Sequence, residues 1–249
     1  MLKAPSFAYA KAKSLTEVYE LLERPGARVL AGGQSLIPSL NMRLAAPELL
    51  VDITGLRELA AIKAQPSGLR IGALVTHATL ERAREVAEHV PLLAQAAAEV
   101  AHPAIRNRGT LGGSLALADP AAEYPACALA LDATIVLAGR RGERRVSASQ
   151  FFRGLFETDI QPGELLVAAE FPRVERSVFL ELARRHGDYA IVGLAAVAGA
   201  AGRRFAFCGV GATPVLAAGA ARATTLEAAL QALRQDLDPS ADLYHSAAT

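Results

Sequence analysis

Near the start of the chain, apolar positions recur at helical spacing at Val18, Leu21 and Leu22, directly after Ser14-Leu15-Thr16-Glu17. That tetrad is a capping box, a hydroxyl N-cap followed three residues later by a glutamate, and it predicts a helix start. Pro25-Gly26 predicts the helix end. Residues 28–31 then read as a short strand, 36–43 as a helical stretch and 49–53 as a second strand. Together they make a compact βαβ-like unit closing near Gly55.

Strand patterns open the next segment, where residues 59–63 and 68–72 flank the turn-forming Gln65-Pro66-Ser67. Residues 79–88 and 91–100 are rich in Ala and Glu and read as helices, the second with Pro91 at its first position. Residues 101–113 read as a long loop. The apolar run 126–131 precedes a β-branched strand at 134–137, a charged turn at 140–145 and a strand at 165–171. Residues 178–182, 191–198 and 204–210 also read as strands. An amphipathic helix is predicted over 225–234, and a further helix-like run begins at 238. This mixed order of α and β predicts an α+β fold with several small sheets rather than one doubly wound sheet.

Composition narrows the function classes. A chain of 249 residues, 52% hydrophobic, can bury a sizeable core in one large domain or two to three small ones. A formal net charge of +1 argues against a general nucleic-acid or membrane-surface binder. Cys127 and Cys208 lie far apart in apolar runs and read as small buried hydrophobes, with no CxxC and no disulfide framework. His77, His89, His102, His186 and His245 have no metal-ligand spacing. The longest low-charge apolar stretch, residues 190–202, has 13 residues and reads as a buried strand with its turns. A membrane span needs about 20. No apolar leader segment lies between Lys3, Lys11 and Lys13, so a soluble cytoplasmic protein is expected.

One feature occurs twice. Ala31-Gly32-Gly33-Gln34-Ser35-Leu36 and Thr110-Leu111-Gly112-Gly113-Ser114-Leu115 both set Gly-Gly before polar residues and a helix-prone run. Paired glycines permit positive φ and leave no Cβ in the way of a ligand. Consecutive N–H groups in such a turn converge on an anion, and a following helix start adds partial positive charge. The hydroxyls of Ser35, Thr110 and Ser114 are further donors. Two such nests suit the two phosphates of one pyrophosphate. GxGxxG is absent, which leaves a Rossmann site without support. GxxxxGK[ST] is absent too, so no P-loop lysine handles a transferable phosphate. An uncleaved pyrophosphate, as in FAD, fits better than ATP; ordinary tight turns remain the alternative.

Arg106-Asn107-Arg108-Gly109 precedes the second turn, and Ala118-Asp119-Pro120-Ala121-Ala122-Glu123-Tyr124-Pro125 follows it. The arginines are candidates to neutralise phosphate or to pair with another chain. Asp119 and Glu123 are acceptors suited to ribityl hydroxyls or flavin N–H groups. A solvated loop with an ordinary N-cap is the alternative.

With Arg184-Arg185-His186-Gly187-Asp188-Tyr189-Ala190 and Gly209-Val210-Gly211-Ala212-Thr213-Pro214, these motifs span almost the whole chain. The joint pattern resembles the flavoprotein subunits of molybdenum hydroxylases, the family of the medium subunit of aerobic carbon monoxide dehydrogenase and the FAD domain of xanthine dehydrogenase. The resemblance implies a FAD-binding fold of the vanillyl-alcohol-oxidase type, with two α/β subdomains and a smaller C-terminal α/β domain. Expected spans are 1–172 for the FAD domain, divided at about 56, and 173–249 for the C-terminal domain, without the family's last helix. It implies that Val29, Leu30, Ala31, Gly32, Gly33, Gln34, Ser35 and Leu36, with Thr110, Leu111, Gly112, Gly113 and Ser114, line the pyrophosphate. Glu123 matches a FAD-contacting position and Leu166 an apolar position near the flavin. Asp188 and Tyr189 are expected by the isoalloxazine ring, with Asp119 among the cofactor-binding residues. No catalytic side chain and no metal ligand is expected. The implied role is electron transfer, with a molybdenum-cofactor large subunit and a [2Fe–2S] small subunit as partners. Two separated cysteines cannot hold a cluster by four thiolates. Leu117 departs from the family, where many members have His. Among the arginines, Arg106, Arg108, Arg184 and Arg185 are expected in part to face a partner subunit, since Arg is enriched at interfaces. The competing readings are a self-contained FAD-dependent oxidase or reductase, for which only Tyr189 and His186 offer an acid or base, and a non-redox nucleotide-binding module.

Overall fold

The computed structural model describes residues 4–239, 241 and 246. The first unit is a parallel sheet of three strands, β1 (Ala8–Lys11), β2 (Ala27–Leu30) and β3 (Leu49–Asp52), with β3 in the centre. The helix α1 (Leu15–Leu22) starts where the capping box puts it, Ser14 Oγ accepting from the Glu17 N–H. Glu17 reaches back one residue further than the box requires, its carboxylate accepting from Lys13 N at 2.8 Å. The short helix α2 (Leu36–Asn41) follows β2. The strand β1, whose residues alternate too weakly to be read as one, adds an edge to the predicted βαβ unit.

The second sheet is antiparallel, ordered β4 (Ile62–Gln65), β5 (Gly68–Gly72), β10, β6 (Thr134–Gly139), β7 (Gly142–Ser147), where β10 is Leu165–Pro172. The intervening strands β8 (Phe152–Gly154) and β9 (Glu157–Thr158) pair only with each other. Three expectations are corrected here. Residues 57–60 form a 3-10 turn, so β4 starts later than its pattern indicates. The charged residues after 141 belong to β7, where Arg144 is gripped by Glu164 and Asp159 at 2.7 Å each. The single helix expected over 79–88 is two, α3 (His77–Arg82) and α4 (Arg84–His89), because Ala83 is extended at φ −68°, ψ 125°.

Both faces of this sheet are covered. On one face Val136, Ala138, Leu165, Val167 and Ala168 pack with Val18, Leu21 and Val51 of the first unit. On the other, Ile135, Leu137, Leu166, Ala169 and Phe171 pack against α5 (Pro91–Glu99), α7 (Leu111–Leu117) and α8 (Glu123–Ala130). Each fully buried aliphatic side chain contributes about 1.5–3 kcal/mol. A bulge in β10 between Leu166 and Ala168 breaks the alternation, so Val167 and Ala168 face the same side. The Val167 carbonyl then accepts from Ala73 N at 2.9 Å.

The third sheet is antiparallel, β11 (Arg176–Leu182), β12 (Val192–Gly199), β13 (Gly202–Cys208) and β14 (Val215–Leu216). The apolar stretch 190–202 is thus β12 with its turns, as its length indicates. Phe179, Ala195, Val197, Ala206 and Cys208 join the central core, and Cys127 and Cys208 are both buried thiols. The helices α10 (Ala218–Arg222) and α11 (Leu226–Asp236) lie on the opposite face, with Phe207, Val210, Ala217 and Ala220 between. Arg204 ties sheet to helix by donating to the carbonyls of Leu129 (2.8 Å) and Ala130 (3.0 Å) at the end of α8. The helix-like run expected from 238 lies largely outside the described residues. No helix among the described residues is long and apolar enough to cross a membrane.

Candidate flavin site

The first glycine motif leaves β2 and enters α2. Gly33 has φ 72°, the left-handed region that glycine adopts without strain. Gln34 Nε2 donates to Gly32 O at 2.9 Å and closes the turn from inside. The amides of Gly32, Gly33, Gln34 and Ser35 donate to no other group among the described residues. Ser35 is exposed, and its hydroxyl makes no cap bond to α2. A run of four amides without acceptors, three of them on half-buried residues, is costly unless water or an anion completes it.

The second motif has the same letters and a different structure. Gly112 and Gly113 lie within α7, not in a loop, and residues 103–106 form a further short helix, α6 (Pro103–Arg106). The donors here are already used. Leu111 N donates to Val75 O at 3.0 Å, Gly112 N to Ala73 O at 2.9 Å, Gly113 N to Thr110 Oγ1 at 3.1 Å and Ser114 N to Thr110 O at 3.0 Å. The expectation of a second amide nest is therefore corrected. The glycine at 112 serves close packing, since a Cβ there would stand 2.5 Å from Ala73 Cβ. What remains for a ligand is the O–H of Thr110, the Ser114 hydroxyl and the exposed backbone of Gly113. The expected helix-dipole contribution is also small, because α2 and α7 have six and seven residues.

The two motifs meet. A Cβ on Gly32 would lie 2.8 Å from the carbonyl carbon of Arg108 and 2.9 Å from Gly109 Cα. Gly109 in turn packs on His77, whose Nε2 would stand 2.6 Å from a Cβ there, while His77 N donates to Gly109 O at 3.0 Å. The loop bearing Asp188 and Tyr189 joins the same assembly. Gly187, at φ 82°, leaves 2.7 Å between its would-be Cβ and Ala101 O. Asp188 is half-buried and Tyr189 is 79% exposed. Leu166 is buried in β10 one residue before Val167, whose carbonyl reaches Ala73 beneath Gly112.

Asp119 and Glu123 flank the turn into α8. Asp119 Oδ1 accepts from Ala121 N at 3.0 Å, and Pro120 O accepts from Gly209 N at 2.8 Å, which pins this turn to the end of β13. Glu123 is 8% exposed. Burial pushes its carboxyl up to about 8; its own amide opposes this, and the like charges of Glu181, Asp119 and Glu99 add to it. Glu181, raised to about 7 by burial and then by Glu99, has a buried Oε2 without a hydrogen bond. His77, 6% exposed, is pushed down to about 4 by burial and then by Arg106. Its ring stacks on Tyr124 at 5.2 Å, and His77 Nδ1 and Tyr124 Oη are buried without partners.

The arginines divide. Arg106 is corrected as a candidate for phosphate or partner contact: it is buried and turned inward, with Nε on Glu81 at 3.1 Å and Nη1 on backbone carbonyls. Arg108, Arg184 and Arg185 are exposed. The sequence pattern assigns no role to His77 or Glu81, because a lone histidine and one glutamate among many in helices carry no spacing signal.

Residues 5–174 match the family model described as the FAD binding domain in molybdopterin dehydrogenase. The chain is 45% identical over 201 residues to the 6-hydroxypseudooxynicotine dehydrogenase complex subunit alpha of Paenarthrobacter nicotinovorans, covering 79% of this chain and 68% of that one. It is 38% identical over 198 residues to the carbon monoxide dehydrogenase medium chain of Hydrogenophaga pseudoflava, covering 78% and 69%. Among solved structures, quinoline 2-oxidoreductase from Pseudomonas putida 86 superposes with a TM-score of 0.93 at 39% identity, covering 99% of this chain and 92% of that one. The match extends over both glycine motifs and the segment that joins them, and the chain belongs to the family of FAD-binding domains of molybdopterin dehydrogenases.

Proposed function

We propose that this chain binds FAD non-covalently and is the electron-transfer flavin subunit of a molybdenum hydroxylase complex. The observation that carries the reading is the junction of the first motif, with its four uncommitted amides, and the backbone of Arg108–Gly109. The two segments can approach this closely because neither Gly32 nor Gly109 has a Cβ to hold them apart. In this reading residues 29–36 hold the pyrophosphate through amides and the Ser35 hydroxyl. Residues 110–114 contribute the hydroxyls of Thr110 and Ser114 rather than amides. Asp119, Glu123, Leu166, Asp188 and Tyr189 border the rest of the cofactor. Glu123, protonated near neutrality, is able to donate a hydrogen bond as well as accept one.

The redox chemistry is the cofactor's, taking electrons from a reduced donor and releasing them to an external acceptor, while the protein supplies binding and orientation. A [2Fe–2S] small subunit and a molybdenum-cofactor large subunit are the partners in this reading, and the location is the cytoplasm. The cofactor domain is placed at 1–172, with subdomains of the vanillyl-alcohol-oxidase type meeting at about 56, and the C-terminal domain at 173–249. The distribution of the three larger sheets along the chain supports these limits.

Purification tests the reading. The chain is expected to carry FAD at one per molecule, with the two visible bands of oxidised flavin, and to co-purify with iron–sulfur and molybdenum subunits when co-expressed with them. A colourless protein that binds no added FAD sinks the reading. A yellow protein that turns over a substrate unaided favours a self-contained oxidase.

A further inference from the structure

We infer that Arg106 is a positioning residue for the flavin site, fixing the one backbone segment on which both the Gly32 turn and the Asp188–Tyr189 loop rest. The inference builds on the reading of this chain as a flavin-binding subunit.

The segment in question runs from Val100 to Gly109. It begins with a conformation that needs holding. Ala101 has φ 42°, a left-handed backbone that a residue with a Cβ seldom adopts. The Arg106 guanidinium is bound to this bend. Its Nη1 donates to Ala101 O at 3.0 Å, to Val100 O at 3.1 Å and to Ala98 O at 3.4 Å. Its Nε donates to Glu81 Oε2 on α3 at 3.1 Å, which supplies the counter-charge a buried guanidinium requires.

Two contact lines leave this segment. Ala101 O, held by Arg106, is the atom against which Gly187 packs, and Gly187 immediately precedes Asp188 and Tyr189. Two residues beyond Arg106, the Arg108 carbonyl and Gly109 Cα form the wall against Gly32. One side chain, only 11% exposed, therefore sets the spacing between loops that come from three separate stretches of sequence. Arg106 acts through backbone. A lysine keeps the charge but cannot span Glu81 and the carbonyls with a planar fork.

The test compares the full chain with Arg106→Lys, Arg106→Ala and, as a control for general loss of stability, Phe151→Leu in the central core. Three quantities are read: the melting temperature of the FAD-free protein, the FAD dissociation constant and the visible circular dichroism of the bound flavin. Arg106→Lys is expected to weaken FAD binding about tenfold, the scale of lost charge-assisted hydrogen bonds, and to change the visible dichroism. Phe151→Leu is expected to lower the melting temperature without either effect. Tens of millimolar guanidinium ion should restore much of the FAD affinity of Arg106→Ala, and sodium chloride of equal ionic strength should not. If Arg106→Ala does not fold, Arg106→Lys against the control decides alone. Arg106 variants whose FAD affinity and dichroism match those of Phe151→Leu overturn the inference and leave the flavin reading intact. Failure of the unsubstituted chain to bind FAD removes both.

Discussion

Gly32 and Arg108 are in backbone contact although they lie in different sheets' connections: the Arg108 carbonyl occupies the space a Cβ on Gly32 would take. Relief by a side-chain rotation is unavailable, because the obstructing atoms are main chain. Gly32→Ala therefore has to push the two motifs apart. Overpacking of this kind costs about 1–3 kcal/mol, and it falls on the junction that holds the pyrophosphate. The expected result is a loss of FAD affinity of about tenfold or more, read by flavin fluorescence titration, with a smaller change in the melting temperature of the FAD-free protein. An unchanged dissociation constant would place the pyrophosphate elsewhere.

Gly112 is expected to behave oppositely. A Cβ there meets Ala73 Cβ at 2.5 Å and Ala73 Cα and O at 2.8 Å, inside the contact between α7 and the end of β5. Its amide is already bonded to Ala73 O. Gly112→Ala should destabilise the fold by about 1–3 kcal/mol in urea unfolding while the folded fraction still binds FAD. A variant of normal stability that has lost FAD contradicts the packing role.

These two glycines show how far the sequence could be read. Duplicated Gly-Gly motifs pointed to one cofactor and to two segments that the fold brings into contact, because absence of a Cβ is visible as a letter. Which amides are free is not visible. That depends on Val75 and Ala73, which approach the second motif from the connection that follows β5, and on the β10 bulge that fixes Ala73. In the second and third sheets, β5, β6, β10, β11, β12 and β13 were legible from β-branched and apolar runs, whereas the short β14 was not. The break at Ala83 and the strand over the charged residues 142–145 were not, since the first lacks a Gly or Pro signal and the second is decided by ion pairs with Glu164, Asp159 and Glu170. Arg106 looked like an anion or interface residue for the same reason: its acceptors are backbone carbonyls, which no sequence pattern announces.

His77 makes stability depend on pH in the acid range. Its folded value is about 4 against 6.5 for the unfolded chain. Between these values the unfolded chain binds a proton that the native fold refuses, so stability falls as pH drops through that window. The full loss is about 3 kcal/mol, at about 1.4 kcal/mol per unit. His77→Gln, which does not titrate, should flatten this limb when urea midpoints of the FAD-free protein are compared from pH 7 to 4. Equal slopes for the two proteins would show that His77 is protonated in the fold.

Glu123 works in the opposite direction and over a different window. Its folded value of about 8 lies above the ordinary 4.5 because burial, then Glu181, Asp119 and Glu99, disfavour the carboxylate more than its own amide supports it. Between 4.5 and 8 the native fold retains a proton that the unfolded chain releases, so stability of the FAD-free protein declines as pH rises through that range. Glu123→Gln has nearly the same shape and no charge to bury. It should match the parent near pH 4.5 and become progressively more stable relative to it towards pH 8, by up to several kcal/mol. Its amide also keeps one acceptor and one kind of donor, so FAD affinity should fall less than in Gly32→Ala. Urea midpoints across that pH range, with FAD titrations at neutral pH, test both statements. Parallel stability profiles would show that Glu123 is ionised in the fold, and a larger affinity loss than Gly32→Ala would make its charge, not its shape, the feature the cofactor reads.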